Sequence, residues 1–172
     1  VTIEPNEILR GSIFATETRS LMPTVEERFE LAIDMKVLSV ADLYGGKLCA
    51  ALDRQHPRDI FDMKLLLDNE GITPDIQRAF VVYLAGHGRP IHELLEPSLK
   101  DIQSVYEREF AGMTTAPVSV DALLQTREQY VHFVKNGLSH AERQFLISLK
   151  SLTPQWNLLE IDGVDQFPSI QW

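Results

Sequence analysis

Two adjacent glycines, Gly45 and Gly46, and a proline at position 57 limit what the middle of this chain can become. Residues 39–67 read as two helices with a sharp break between them. Ser39 is a good N-cap, and Asp42 stands three residues on, at the acidic position of a capping-box-like start. The first helix is predicted from Val40 to Arg54. Pro57 opens the second, because a proline in the first turn loses no hydrogen bond it would have made. Ile60, Met63 and Leu67 then repeat at i, i+3, i+7, and Gly71 is placed to end the helix.

This pair of helices carries more than a bland pair needs. A glycine inside a helix costs roughly 1 kcal/mol relative to alanine. Two in succession suggest the close approach of another backbone or of a ligand. Lys47 follows them directly, and Arg58, Asp59 and Asp62 share one turn of the next helix. Asp59 and Asp62 lie at i, i+3, on one face. Spacing alone leaves two readings open. The acids are dipole-favoured residues of a helix start with a surface ion pair, or they face Lys47 across a cleft.

The order of residues goes further. Gly46-Lys47-Leu48-Cys49-Ala50-Ala51-Leu52-Asp53-Arg54, followed by Pro57-Arg58-Asp59-Ile60-Phe61-Asp62, resembles the third and fourth motifs of the AbiEii-type nucleotidyltransferases. These are toxins of abortive-infection toxin–antitoxin systems, which act in phage defence. The resemblance is specific over the central stretch and extends more weakly over most of the chain. It implies transfer of a nucleoside monophosphate from an NTP to an acceptor, with RNA as a candidate, in the presence of Mg²⁺. It assigns the catalytic roles to Lys47, a cation for phosphate charge, and Asp59, an acid that accepts or orients the proton of the acceptor hydroxyl. Arg58, Asp62, Gly46 and Arg54 are the supporting residues. A cognate antitoxin is the implied partner.

The family's first motifs, a Gly-Ser helix start and a metal-binding Asp-x-Asp strand, are not found upstream of Lys47. Gly11-Ser12 has no Asp-x-Asp after it, and Glu160-Ile161-Asp162 lies at the wrong end. The expectation is therefore an incomplete chain, inactive alone, whose full-length protein is the enzyme. Glu4, on an alternating stretch Val1-Thr2-Ile3-Glu4, is either the family's additional metal-binding acid or a solvated strand carboxylate.

Composition narrows the classes. The chain has 172 residues, enough for a real core, with 44% hydrophobic and 24% charged residues, ordinary values for a globular protein. A net charge of −9 argues against a broad electrostatic footprint on nucleic acid, but not against a local basic cleft. The single cysteine, Cys49, cannot form an internal disulfide, which fits a reducing, cytoplasmic compartment, and its apolar setting reads as an inert thiol. No apolar run is long enough to suggest a membrane span.

The predicted architecture is α+β: a partial N-terminal sheet, by the resemblance the remnant of a polymerase-β-like nucleotidyltransferase core, followed by a helical domain. Residues 1–71 are read as the C-terminal part of the nucleotidyltransferase-like domain, 72–152 as the helical domain and 153–172 as an irregular tail. Extended stretches are predicted at the N-terminus, through Ile8, Ile13 and Phe14, and over 31–38, where apolar residues alternate. The last of these is expected to leave an exposed edge. A short helical turn is predicted at 25–29.

Downstream the signals are helical. Thr73-Pro74 starts a helix ending at Gly86. A glycine-flanked loop then holds His87 and Arg89, either as a plain connection or as a phosphate contact. Helices follow over 97–110, with Leu99 inward, and over 119–136. A capping box at Ser139–Glu142 opens the last. His132 and His140 have no metal-ligand spacing, and the tail tryptophans are expected to pack over the helices. The competing reading of the whole is a non-catalytic helical interaction module that binds an antitoxin or a nucleic acid.

Overall fold

The computed structural model describes residues 11–171; residues 1–10, with the candidate acid Glu4 and the extended stretch expected through Ile8, and Trp172 lie outside them. The central stretch folds as two capped helices. Helix α2 spans Val40–Arg54, and the Ser39 side chain accepts the Asp42 amide as its N-cap. It ends at Gln55, which takes the left-handed conformation with φ 51°. Helix α3 spans Pro57–Asp68 with proline in its first turn. Its N-cap is His56, whose Nδ1 accepts the Arg58 amide. The buried face of α3 is Ile60, Met63 and Leu66; Leu67, placed on that face by sequence, is only half buried.

Before α2 stands a small antiparallel hairpin. Strand β1 (Glu17–Ser20) pairs with β2 (Asp34–Val37), from Glu17 opposite Val37 to Ser20 opposite Asp34, and helix α1 (Pro23–Phe29) lies between them in sequence. The strand expected over 31–38 is thus shorter. Its alternation does not bury a face, and Met35 is 56% exposed. Pairing stops where the four-residue partner strand stops, and α1 buries none of its residues. Ile13 and Phe14, expected in an extended stretch, sit in a bend packed against the core.

Helix α4 (Pro74–Ala85) starts at the Thr73 cap and is nearly apolar all round. It packs along α2, and Leu48, Leu52, Ile76, Phe80 and Leu84 are fully buried between them and their neighbours. The approach is close at Gly45: a Cβ there would lie 2.7 Å from the Ala79 Cβ and 2.8 Å from the Phe80 amide nitrogen. Packing thus accounts for the first glycine of the pair. In the loop after α4, Arg89 stays exposed and bonds Asp53 at 2.6 Å and Glu93 at 2.9 Å.

Helix α5 covers Ile91–Leu95. The helix expected over 97–110 is confined to α6, Gln103–Glu109, and Leu99 points outward, 56% exposed. The reason is Gln55. Its buried amide donates to the Ser98 carbonyl and accepts the Lys100 amide, and Arg127 donates to the Lys100 carbonyl. These long-range bonds take backbone groups that a helix would have used.

Helix α7 (Val120–Asn136) is capped by Ser119 and α8 (His140–Lys150) by the Ser139–Glu142 capping box. In the tail, Trp156 packs on Phe145 at a centroid distance of 5.2 Å, and a final turn, α9, covers Pro168–Gln171. No helix among the described residues is long and apolar enough to cross a membrane. The protein is α+β, with a two-stranded antiparallel sheet near its N-terminus and helices after it.

Candidate functional site

One stripe of α2 is left open by the packing. Leu43, Gly46, Lys47, Ala50 and Arg54 follow the 3.6-residue period and look away from α4. With Asp59 and Asp62 from α3 they line a cleft of ≈ 610 Å³, closed at one side by Gly11 and Ser12 and at its back by Asp42 and Tyr83. A Cβ at Gly46 would meet nothing within 4 Å, so the second glycine of the pair keeps open space inside this cleft.

Two ion pairs cross it. Lys47 Nζ donates to Asp62 Oδ2 at 2.5 Å, and both side chains are about one-third exposed (34% and 32%). Arg54 grips Asp59 with both prongs, Nε to Oδ2 at 2.9 Å and Nη2 to Oδ1 at 2.6 Å. The fork holds the Asp59 carboxylate, 13% exposed, in one orientation, which a lysine would not do. In each pair the cation comes from α2 and the acid from α3.

The sequence-selected residues thus divide. Gly46, Lys47, Arg54, Asp59 and Asp62 come together in one cleft. Arg58 is placed elsewhere: its guanidinium reaches the Glu109 carbonyl at 3.4 Å, at the end of α6, and Asp59 takes Arg54 as its partner instead. Among the described residues, no group of three or more His, Cys, Asp or Glu side chains is arranged to hold a metal ion.

Two cleft residues carried no functional signal in the sequence. Asp42 is buried, and its carboxylate accepts four hydrogen bonds: the Ile13 amide at 2.8 Å, the Phe14 amide at 3.0 Å, the Ser39 hydroxyl at 2.8 Å and the Tyr83 hydroxyl at 2.8 Å. It reads locally as a capping acid, yet it fastens residues 11–14 against α2 and α4. Tyr83 sits in an apolar run, where a buried phenol's need for a partner is the only clue. Beside the cleft, burial and then the charges of Glu70 and Asp62 raise the Tyr44 phenol above its usual value.

The arrangement offers a cation beside an open backbone, an oriented carboxylate, and two small residues, Gly46 and Ala50, in the cleft lining. No curated protein and no solved structure matches the chain. Residues 6–143 match the family described as "Nucleotidyl transferase AbiEii toxin, Type IV TA system", and the chain belongs to that family.

Proposed function

We propose that the cleft between α2 and α3 binds a nucleoside triphosphate and that the full-length protein transfers its nucleoside monophosphate to an acceptor hydroxyl, with RNA as the acceptor class. The observation that carries this reading is the convergence of Lys47 and Asp59 on one cleft, each held by a partner from the other helix.

In this reading Lys47 exchanges Asp62 for triphosphate oxygens. A flexible lysine only one-third exposed makes that change of partner with little rearrangement. Gly46 lets the phosphate chain approach the α2 backbone. Asp59, fixed by Arg54, accepts the proton of the acceptor hydroxyl as its oxygen bonds to the α-phosphorus. The bond from that phosphorus to the bridging oxygen breaks, and pyrophosphate leaves with its charge beside Lys47.

The divalent ion that the family's chemistry implies finds no fitting donor set among the described residues. Asp59 and Asp62 are engaged by Arg54 and Lys47, and Asp42 already accepts four protein hydrogen bonds. An NTP-fed reaction belongs in the cytoplasm, and an antitoxin is the partner class that the family suggests.

The test is label transfer from each of the four α-labelled NTPs to total RNA by the full-length protein in Mg²⁺ buffer, wild type against Asp59→Asn. Transfer by wild type and its loss in a folded Asp59→Asn variant support the reading. Absence of transfer by wild type overturns it in favour of a non-catalytic interaction module.

A further inference from the structure

On the C-terminal side of the chain, α5, the end of α7 and α8 enclose a groove of ≈ 780 Å³ that shares no lining residue with the α2–α3 cleft. Its lining is aliphatic: Ile91, Leu95 and Leu149 are half-buried, while Val134, Leu138 and Leu146 belong to the buried core. Ile147, on its lip, is 65% exposed. Local charge runs against that of the whole chain, which is −9. The groove is rimmed by Arg89, Lys135, Arg143 and Lys150, and Glu96 is the sole acid among its lining residues.

The rim cations are in different states. Arg89 is satisfied by Asp53 and Glu93, and Lys135 by Glu96 at 2.6 Å. Arg143 donates only to carbonyls, those of Leu138 and Lys135, so its charge is not neutralised by them. Arg143 and Lys150 have no carboxylate partner among the described residues. Both stand on α8, beside Ile147.

We infer that this groove docks an acidic amphipathic helix of a protein partner. Its apolar stripe would lie on the Ile91–Leu95–Leu149 floor, and its acidic flank would meet Arg143 and Lys150. The argument is charge complementarity joined to the chemistry of the floor. A helix laid in a groove supplies apolar anchors at i, i+3/i+4 and i+7 and a charged edge. The groove provides the matching negative image, a trough of aliphatic side chains with unneutralised cations along one wall. Single-stranded nucleic acid would also meet the cations, but it binds by stacking bases on aromatic rings. No Phe, Tyr or Trp lines this groove. The inference does not rest on the nucleotide reading of the other cleft.

The test uses a displayed library of helical peptides of about 15 residues, long enough to hold a helix. Leucine is fixed at i, i+3, i+4 and i+7, and the flanks are randomised over Asp, Glu, Lys, Arg and Ser. It is selected on the full chain, with Ile147→Asp and Lys150→Glu as counter-targets. Both changed side chains are exposed, so the variants keep the fold. The expected result is enrichment of Asp- and Glu-flanked helices that bind each variant about tenfold or more weakly, with a salt dependence that Lys150→Glu reduces.

Chemical-shift changes of the wild type on binding are expected at Leu95, Val134, Leu146 and Leu149. Four results would overturn the proposal. These are no enrichment, enrichment without an acidic bias, binding to both variants as tight as to wild type, or the same shifts produced by a single-stranded oligonucleotide. Shifts at the groove that appear with protein concentration alone would assign it to a second copy of the chain and overturn it too.

Discussion

The Tyr83 hydroxyl, on α4, donates to the Asp42 carboxylate, on α2, at 2.8 Å, and the same carboxylate receives the amides of Ile13 and Phe14. Three segments distant in sequence meet at one buried acid that also forms the back of the candidate site. Hydrogen bonds to a buried carboxylate are worth more than neutral ones, and removing the acceptor takes one bond each from two amides, the Ser39 hydroxyl and the Tyr83 phenol. Asp42→Ala is expected to cost about 2–4 kcal/mol and Tyr83→Phe about 1–2 kcal/mol in urea unfolding. In Asp42→Ala, the Ile13 and Phe14 amides should also lose hydrogen-exchange protection before the rest of the chain. Protection unchanged at those two amides would show that another contact holds residues 11–14.

The glycine pair separates packing from function. Gly45→Ala drives a methyl to within 2.7 Å of Ala79 and 2.8 Å of the α4 backbone, so overpacking exceeds the gain in helix propensity. It is expected to destabilise by about 1–2 kcal/mol. Gly46→Ala meets no atom and should stabilise by up to about 1 kcal/mol while narrowing the cleft. Thermal unfolding of the two variants therefore moves in opposite directions.

The residues that the family resemblance selected on α2 repeat at helical spacing, which is why the structure carries them on one open stripe. Gly46, Lys47 and Arg54 share a face because of the 3.6-residue period, and Asp59 and Asp62 share another for the same reason. The caps Ser39, Thr73, Ser119 and Ser139 were legible too, since each bond reaches only three residues along the chain. Asp42 and Tyr83 were not, because their bond joins residues 41 apart.

The helix expected over 97–110 failed for the same physical reason. Pro97 looks locally like a helix start, but the amide of Gln55 claims Ser98 and Lys100 from more than forty residues away (43 and 45). Strand β1, Glu-Thr-Arg-Ser, has no apolar residue, so no alternation announces it.

Tyr130 gives a pH prediction. Burial holds its phenol well above the usual 10.0, and its hydroxyl donates to the Ala51 carbonyl at 3.3 Å. Above the ordinary tyrosine pKa the unfolded chain releases this proton while the folded chain keeps it. Stability is therefore full below that pH and falls as pH rises toward the folded value, by about 1.4 kcal/mol per pH unit for one such group. In urea unfolding across the alkaline range, Tyr130→Phe should remove one proton's worth of that slope. An unchanged slope would mean that the phenol ionises normally in the fold.

Arg54 acts through Asp59. With 62% of its side chain exposed, it contributes little to stability by itself, but its fork fixes the carboxylate to which the proposed reaction gives the acceptor's proton. Arg54→Ala is expected to lower the rate of nucleotidyl transfer about tenfold or more with NTP affinity nearly unchanged. A loss that falls on NTP affinity instead would place Arg54 against the phosphates.

In the proposed function Lys47 meets an NTP in the α2–α3 cleft. Calorimetric titration of a non-hydrolysable NTP into the full-length protein in Mg²⁺ buffer, wild type against Lys47→Ala with matched thermal unfolding, tests it most directly. Binding by wild type and a loss of about tenfold or more in the variant, some 1.4 kcal/mol or beyond, are expected. Equal affinity in the two proteins, or no binding by wild type, would contradict it.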